Sequence, residues 1–272
     1  MFTDGETIQT EVSYQTDRIV LLYTTEETDD ASGKFNMQFI HKLDIYVQDI
    51  ESLRTFLWDP SAAGAAPMRL PGLAEKSNAI AAISGDFFFN RTKGLSVRNG
   101  EVIRATVDPE YDICIVYRDG TMRAIGHGEY DEATVEDTNI WQLLSFGPSL
   151  LDDDGTPRTA FTIVPPRGNR EPTLDSSHYN RRNQRVVFGY VEPGHYIWVL
   201  VEAGNKRSRG MRLDELAELM KDYGCVVAYN LDGGQTAQMW FLGELRNMLG
   251  YEGKSRFLRD ILVVPFPEGS GG

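Results

Sequence analysis

Apolar and polar positions alternate, or fall into short solid apolar blocks, along most of this chain. Both patterns fit strands, half-buried in the first case and fully buried in the second. "RIVLLYTTE" and "KLDIYVQDI" have strand composition, and the second alternates. "NAIAAISGDFFFN" is a buried block that ends in a turn at Gly85-Asp86. "GLSVRNGEVIRAT" predicts a hairpin, because Asn99-Gly100 favours the two positive-φ positions of a tight two-residue turn. "YDICIVYRDGTMRAIG" predicts a second hairpin at Asp119-Gly120, and "SFGPSLLDDDGTPR" a third, entered at Gly147-Pro148. "VVFGYVEPGHYIWVLVEAG" reads as a strand pair around Pro193-Gly194. "CVVAYN", "QMWFLG" and "RDILVVPF" supply further strands.

One segment has a helical period. In "RLDELAELMKDYG", Leu213, Leu216, Ala217 and Met220 recur at i, i+3, i+4 and i+7. Asp214 and Glu215 favour its N-terminal dipole, and Gly224 is placed to end it. Roughly ten strands with one or two helices predict an α+β fold with a largely β core. One domain is expected over residues 17–267. Residues 1–16 form a polar arm or edge strand, and 268–272 a flexible tail. "DPSAAGAAPMRLPG" predicts an exposed loop. Residues 164–185 are polar and arginine-rich, a basic island in an acidic protein and a candidate binding loop.

The formal net charge of −13 repels nucleic acid and anionic lipid, so an anionic ligand needs a local basic patch. Cys114 and Cys225 sit in apolar blocks and read as buried free thiols, although sequence alone leaves a disulfide open. No Cys/His cluster has zinc spacing. His41, His127, His178 and His195 are scattered. No apolar stretch is long enough for a transmembrane helix, and the first residues lack the pattern of a signal peptide. "LDDDG" lacks the spaced ligands of a calcium loop. Asn90-Arg91-Thr92 fits a glycosylation sequon.

Two strand ends carry candidate chemistry. "AYNLDGGQTAQMW" places Asp232 at the end of a buried strand, followed by Gly233 and Gly234, whose amides can approach a ligand closely or form an anion nest. "AISGDFFFN" has the same form, with Asp86 after Gly85. Two carboxylates held on rigid strand ends suit glycoside cleavage. With Asn230 they also form a ligand set that a divalent cation could occupy.

"AYNLDGGQTAQM" resembles the Asn-Leu-Asp-Gly-Gly-Gly-Ser signature of the phosphodiester glycosidase family. "AISGDFF", "LSVRNGEVIR", "FGPSLLDDDG", "NQRVVFGYVEPGHYIWVLVEAG" and "SRGMRLDELAELMKDYGC" resemble further family blocks in the same order, across roughly residues 78–265. Here Gln235 stands for the third glycine and Thr236 for the serine. Arg185 keeps the arginine of a Pro-Arg-Thr segment. Glu202-Ala203-Gly204 replaces Asp-Gly-Arg, with Arg207 or Arg209 as the candidate replacement cation. The resemblance implies a hydrolase that cuts the glycosidic C–O bond of a sugar-1-phosphodiester, such as an N-acetylglucosamine-1-phosphodiester. The substrate would lie in an exopolysaccharide or cell-envelope glycan, and the enzyme outside the cytoplasm. The implied catalytic residues are Asp86, Asp232 and Arg185. Asn230, Gly233, Gly234, Gln235, Thr236, Glu202, Ser208 and His195 are the implied substrate-binding set. The other reading is a non-catalytic glycan-binding or exopolysaccharide-assembly module on the same scaffold.

Overall fold

The computed structural model describes residues 1–28, 37–59, 66–87, 92–161 and 181–267. Much of the basic island and the sequon at Asn90 therefore lie outside the described residues. In chain order the N-terminal part comprises strands β1 (Ile8–Gln9), β2 (Ser13–Gln15), β3 (Ile19–Thr28), β4 (Gln38–Val47) and β5 (Arg54–Leu57). Helix α1 (Leu70–Lys76) and β6 (Ala79–Ser84) follow. The middle of the chain forms β7 (Ser96–Arg98), β8 (Glu101–Arg104), β9 (Asp112–Tyr117), β10 (Met122–Ile125) and β11 (Ile140–Phe146). Then come β12 (Arg185–Glu192), β13 (His195–Val201), α2 (Leu213–Asp222) and β14 (Val227–Leu231). The chain ends with β15 (Met239–Phe241), β16 (Glu244–Leu245) and β17 (Asp260–Pro265).

These strands form three sheets: β1-β2-β3-β4-β13-β12-β14, β10-β9-β11-β7-β8 and β16-β15-β6-β17-β5. The strand pairings described are antiparallel. The α+β expectation with a mostly β core therefore holds. The polar start of the chain supplies the edge strand of the seven-stranded sheet, since β1 pairs only with β2, and β2 with β3, among the described strands.

The main core lies where one face of the seven-stranded sheet meets the other two sheets. Leu21, Leu43, Phe188, Trp198 and Tyr229 pack there against Ile83, Leu144 and Phe241. Helix α2 covers the opposite face. Its Leu213, Leu216, Ala217 and Met220, the four positions of the helical period, pack on Val187, Val199 and Ala228. Gly189 lets this helix sit close, because a Cβ there would lie 2.5 Å from Met220 and 2.6 Å from the Cys225 sulfur. Cys114 and Cys225 are buried and free, in different cores.

The expected exposed loop over residues 59–72 is only partly a loop. Its last three residues open α1, with Pro71 at the start, where a missing N–H costs nothing. Leu70, Leu73 and Ala74 are buried against Ala82, Trp240 and Ile261.

Candidate active site

The two glycine-containing strand ends meet. The Asp232 amide donates to the Gly85 carbonyl at 3.2 Å. The strand that starts at Asp260 runs antiparallel to β6, and its register sets Ile261 opposite Ser84, which brings Asp260 beside Gly85. The approach is tight: a Cβ on Gly85 would stand 2.1 Å from Asp260 Oδ2. On the other side, a Cβ on Gly233 would stand 2.4 Å from the Gln184 carbonyl oxygen and 3.6 Å from the Arg185 Cα. Each glycine is thus present because another backbone or carboxylate occupies the space of a side chain.

A cleft of about 50 Å³ opens at this junction. Asp232, Thr236, Ser84, Phe87, Arg259 and Asp260 line it, together with Gly85, Phe257 and Leu258. Phe87 holds a positive φ of 65°, a backbone state that is uncommon for a bulky residue. Ser84 Oγ is buried without a hydrogen-bond partner among the described residues.

The backbones of the three residues implied as catalytic adjoin, but their side chains diverge. Asp232 is half-buried and lines the cleft. Asp86 is 1% exposed and lies behind the cleft wall. Its carboxylate accepts from Arg98 Nη2 at 2.8 Å and from the Ser145 amide at 2.8 Å. Its own amide donates to Asp260 Oδ2 at 3.1 Å. Arg185 is buried, and its guanidinium donates to the carbonyls of Met211 at 3.0 Å and Arg181 at 2.7 Å.

The substrate-binding set divides as well. Gly234 donates its amide to Gln184 at 3.1 Å, and Thr236 donates its amide to Gly233 at 3.2 Å. Those two N–H groups are therefore engaged within the turn. The Thr236 hydroxyl also donates to the Gly233 carbonyl. Gln235 is half-buried and its carbonyl receives the Arg256 amide at 3.0 Å. Asn230 donates its side-chain amide to the Gly147 carbonyl at 2.8 Å, which ties the signature strand to the Gly147-Pro148 turn.

Glu202 is fully buried at the same end of the sheet, just beyond β13. It accepts from His41 Nε2 at 2.8 Å, from Arg207 Nε at 2.8 Å and from Asn205 Nδ2 at 2.8 Å, and also from the Met248 amide. His41 Nδ1 lies 2.7 Å from the Tyr23 hydroxyl. Burial pushes the Glu202 pKa up, but the hydrogen bonds outweigh it and hold the group at about 2. Arg207 is therefore the cation that partners Glu202. Ser208 is buried; its hydroxyl donates to the Glu202 carbonyl and accepts from the Phe39 amide at 3.1 Å. Glu202 and Ser208 thus fasten the loop after β13 onto β4.

His195 lies elsewhere. It starts β13, whereas Glu202 follows the far end of that seven-residue strand, roughly 20 Å away at ~3.3 Å per residue. Its ring stacks on Tyr46 at 4.1 Å and contacts Asp44 Oδ1 at 3.2 Å. The strand-pair block put it beside the site in sequence, but a strand carries its two ends to opposite sides of a sheet.

Asp260 and Arg98 belong to the junction and were not singled out in the sequence. Arg98 Nη2 lies 3.8 Å from Asp260 Oδ2 as well as on Asp86, so one buried cation faces two carboxylates. Burial, then the Asp86 charge, push the Asp260 pKa up to about 7, against the pull of Arg98. The only sequence signal was a carboxylate at the start of a buried strand, "RDILVV", which gains meaning once that strand pairs with β6. Among the described residues, no three His, Cys, Asp or Glu side chains gather as a metal site.

Residues 77–264 match the phosphodiester glycosidase family. The chain belongs to that family. The phosphodiester glycosidase match contains both strand ends, Arg98, Arg185 and Asp260. The fold is similar to that of the catalytic domain of zebrafish N-acetylglucosamine-1-phosphodiester alpha-N-acetylglucosaminidase, a structure auto-inhibited by its pro-peptide. That similarity has a TM-score of 0.67 at 18% identity and covers 96% of this chain and 88% of the zebrafish chain. A hypothetical protein from Synechocystis aligns with a TM-score of 0.60 at 14% identity, covering 91% of this chain and 62% of that one. In sequence, an SPbeta prophage-derived uncharacterized protein of Bacillus subtilis, YomE, is 24% identical over 201 residues. That alignment takes in 72% of this chain but 29% of the length of the Bacillus protein. No helix among the described residues is long and apolar enough to cross a membrane.

Proposed function

We propose that the protein is a hydrolase that cleaves the glycosidic C–O bond of a sugar-1-phosphodiester, such as an N-acetylglucosamine-1-phosphodiester, within a glycan or cell-envelope polymer. The observation that carries this reading is the cleft where the Asp232 turn is hydrogen-bonded to Gly85. Asp232 on a rigid strand end, Ser84, Thr236 and Arg259 line it.

In the proposed reaction the bond from the anomeric carbon to the phosphate oxygen breaks, and the phosphate leaves with the electron pair. A phosphate is already a stable anion, so the site has more need to hold charge than to donate a proton. Arg259, a cation in the cleft wall, is suited to that task by a charge-assisted contact. Arg185 instead braces the turn through backbone carbonyls. Asp232 supports the oxocarbenium-like centre, as nucleophile or as base for water. Asp86 acts through Asp260 and the Gly85 turn and does not touch substrate.

The test is turnover of a UDP-sugar or of a simple sugar-1-phosphodiester. Asp232→Asn is expected to lower kcat by about 10²–10⁴-fold, the range for a positioned acid–base group. In ¹⁸O-water the label should enter the sugar. Label in the phosphate would mean P–O cleavage instead. Glycan binding without turnover, indifferent to Asp232→Asn, would make the protein a binding module. Location outside the cytoplasm belongs to the same proposal, and cell fractionation that recovers the protein only from cytosol would remove it.

A further inference from the structure

The rim of the cleft carries a feature that the reaction itself does not require. The segment "KSRFLR", residues 254–259, holds three cations and an exposed aromatic ring in a chain of net charge −13. Phe257 is 56% exposed although it lines the cleft. A single exposed apolar residue is ordinary, but this one is built into place. Arg69 covers the ring, with its guanidinium 5.1 Å from the ring centroid. The Arg69 Nε also donates to the Ser255 carbonyl at 3.3 Å.

The segment is fastened on both sides. The Leu258 amide donates to the Met68 carbonyl at 2.8 Å, and the Arg256 amide donates to the Gln235 carbonyl at 3.0 Å. The second tether runs to the turn that carries Asp232, so the rim is joined directly to the cleft. Lys254, Arg256 and Arg259 are exposed along it, as is Arg69.

A fixed aromatic face beside exposed cations suits one kind of ligand. A pyranose has an apolar face of C–H groups that packs on an aromatic ring, and its phosphates pair with arginine and lysine. The cleft, at about 50 Å³, accommodates the reacting centre and little more. A substrate larger than the cleft meets this rim as it leaves the cleft mouth at Phe257 and Arg259.

We infer that the rim segment Lys254–Arg259, backed by Arg69, is a subsite for the next sugar-phosphate unit, and that the substrate is a polyanionic chain of sugar phosphodiesters. This rests on the proposed glycosidase reading and extends it to substrate class. Because Phe257 and Arg256 project into solvent, replacing them leaves the core intact, which thermal unfolding checks.

The experiment measures binding to the Asp232→Asn protein, which holds substrate without turning it over. The probes are synthetic oligomers of one and of four N-acetylglucosamine-1-phosphodiester units. The four-unit probe is expected to bind about five- to tenfold more tightly than the single unit, with a steeper salt dependence. In the Phe257→Ala/Arg256→Ala variant that advantage should vanish. Equal affinity for the two probes, or an advantage that survives the double substitution, would overturn the subsite. If wild type turns over the single unit in either of those cases, the glycosidase reading stands without the subsite. If wild type neither binds nor turns over any probe, both fall together.

Discussion

Two glycines fix where the site can form. Gly85 is the position on which Asp260 rests its carboxylate, and Gly233 the position on which the Gln184 carbonyl rests. Gly85→Ala would force a methyl group to within 2.1 Å of Asp260 Oδ2 and 3.1 Å of the Asp260 backbone oxygen. The side chain can turn, but the strand must shift as well. Overpacking of this kind costs about 1–3 kcal/mol. The shift would also carry Asp232 with it, through its hydrogen bond to Gly85. The expected result is a lowered urea midpoint together with loss of any turnover. Normal stability with normal turnover would mean that the junction is looser than its contacts imply. Gly233→Ala meets only backbone, so it should be the more damaging of the two.

At the scale of elements, the hydrogen-bonded turns and the amphipathic helix were legible, because each is a local device. Asn99-Gly100 joins β7 to β8 and Asp119-Gly120 joins β9 to β10, with positive φ at Asn99, Gly100 and Gly120. Helix α2 buries its four periodic residues. Helix α1 was hidden by Pro71 and Gly72, which read as a loop, although proline is tolerated in a first turn. β11 is buried and β5 only half-buried, and both are held by long-range pairing that no local pattern announces. The site was legible in part for the same reason. Asp232 and the glycine turns are local, whereas Asp260 reaches the cleft only through the pairing of β17 with β6. Arg98 joins β7 of one sheet to Asp86 and Asp260 of another. Removing that cation as Arg98→Met leaves two carboxylates facing each other in the core. A loss of about 3–5 kcal/mol is expected at neutral pH, the cost of an uncompensated buried charge. Much of it should return in the Arg98→Met/Asp260→Asn double variant, and a double variant no more stable than the single would refute this account.

For the whole molecule, two buried carboxyl groups tilt the pH dependence of stability in opposite directions. Glu202 is held at about 2, below the ordinary value for Glu. Its contribution is therefore complete above the unfolded pKa of about 4.3 and is lost as pH falls toward 2. The shift corresponds to about 3 kcal/mol. Asp260 is raised to about 7, so the folded state binds a proton that the unfolded chain has released above about pH 3.9. Its stabilisation is present below that value and declines as pH climbs to 7. The surplus of acidic residues, 40 against 27 basic, adds self-repulsion that also grows toward neutral pH. Maximum stability is therefore expected near pH 5, close to the sequence pI of 4.8. Urea unfolding at pH 3, 5 and 8 separates the contributions. Glu202→Gln, which strands His41 and Arg207, should cost most at pH 5 and above, and its deficit should narrow by pH 3. Asp260→Asn keeps an oxygen for the Asp86 amide and cannot ionise. It should flatten the decline between pH 5 and 8 while leaving the acid side unchanged. A decline as steep in Asp260→Asn as in wild type would assign the neutral-pH loss to surface repulsion instead, and high salt would then abolish it.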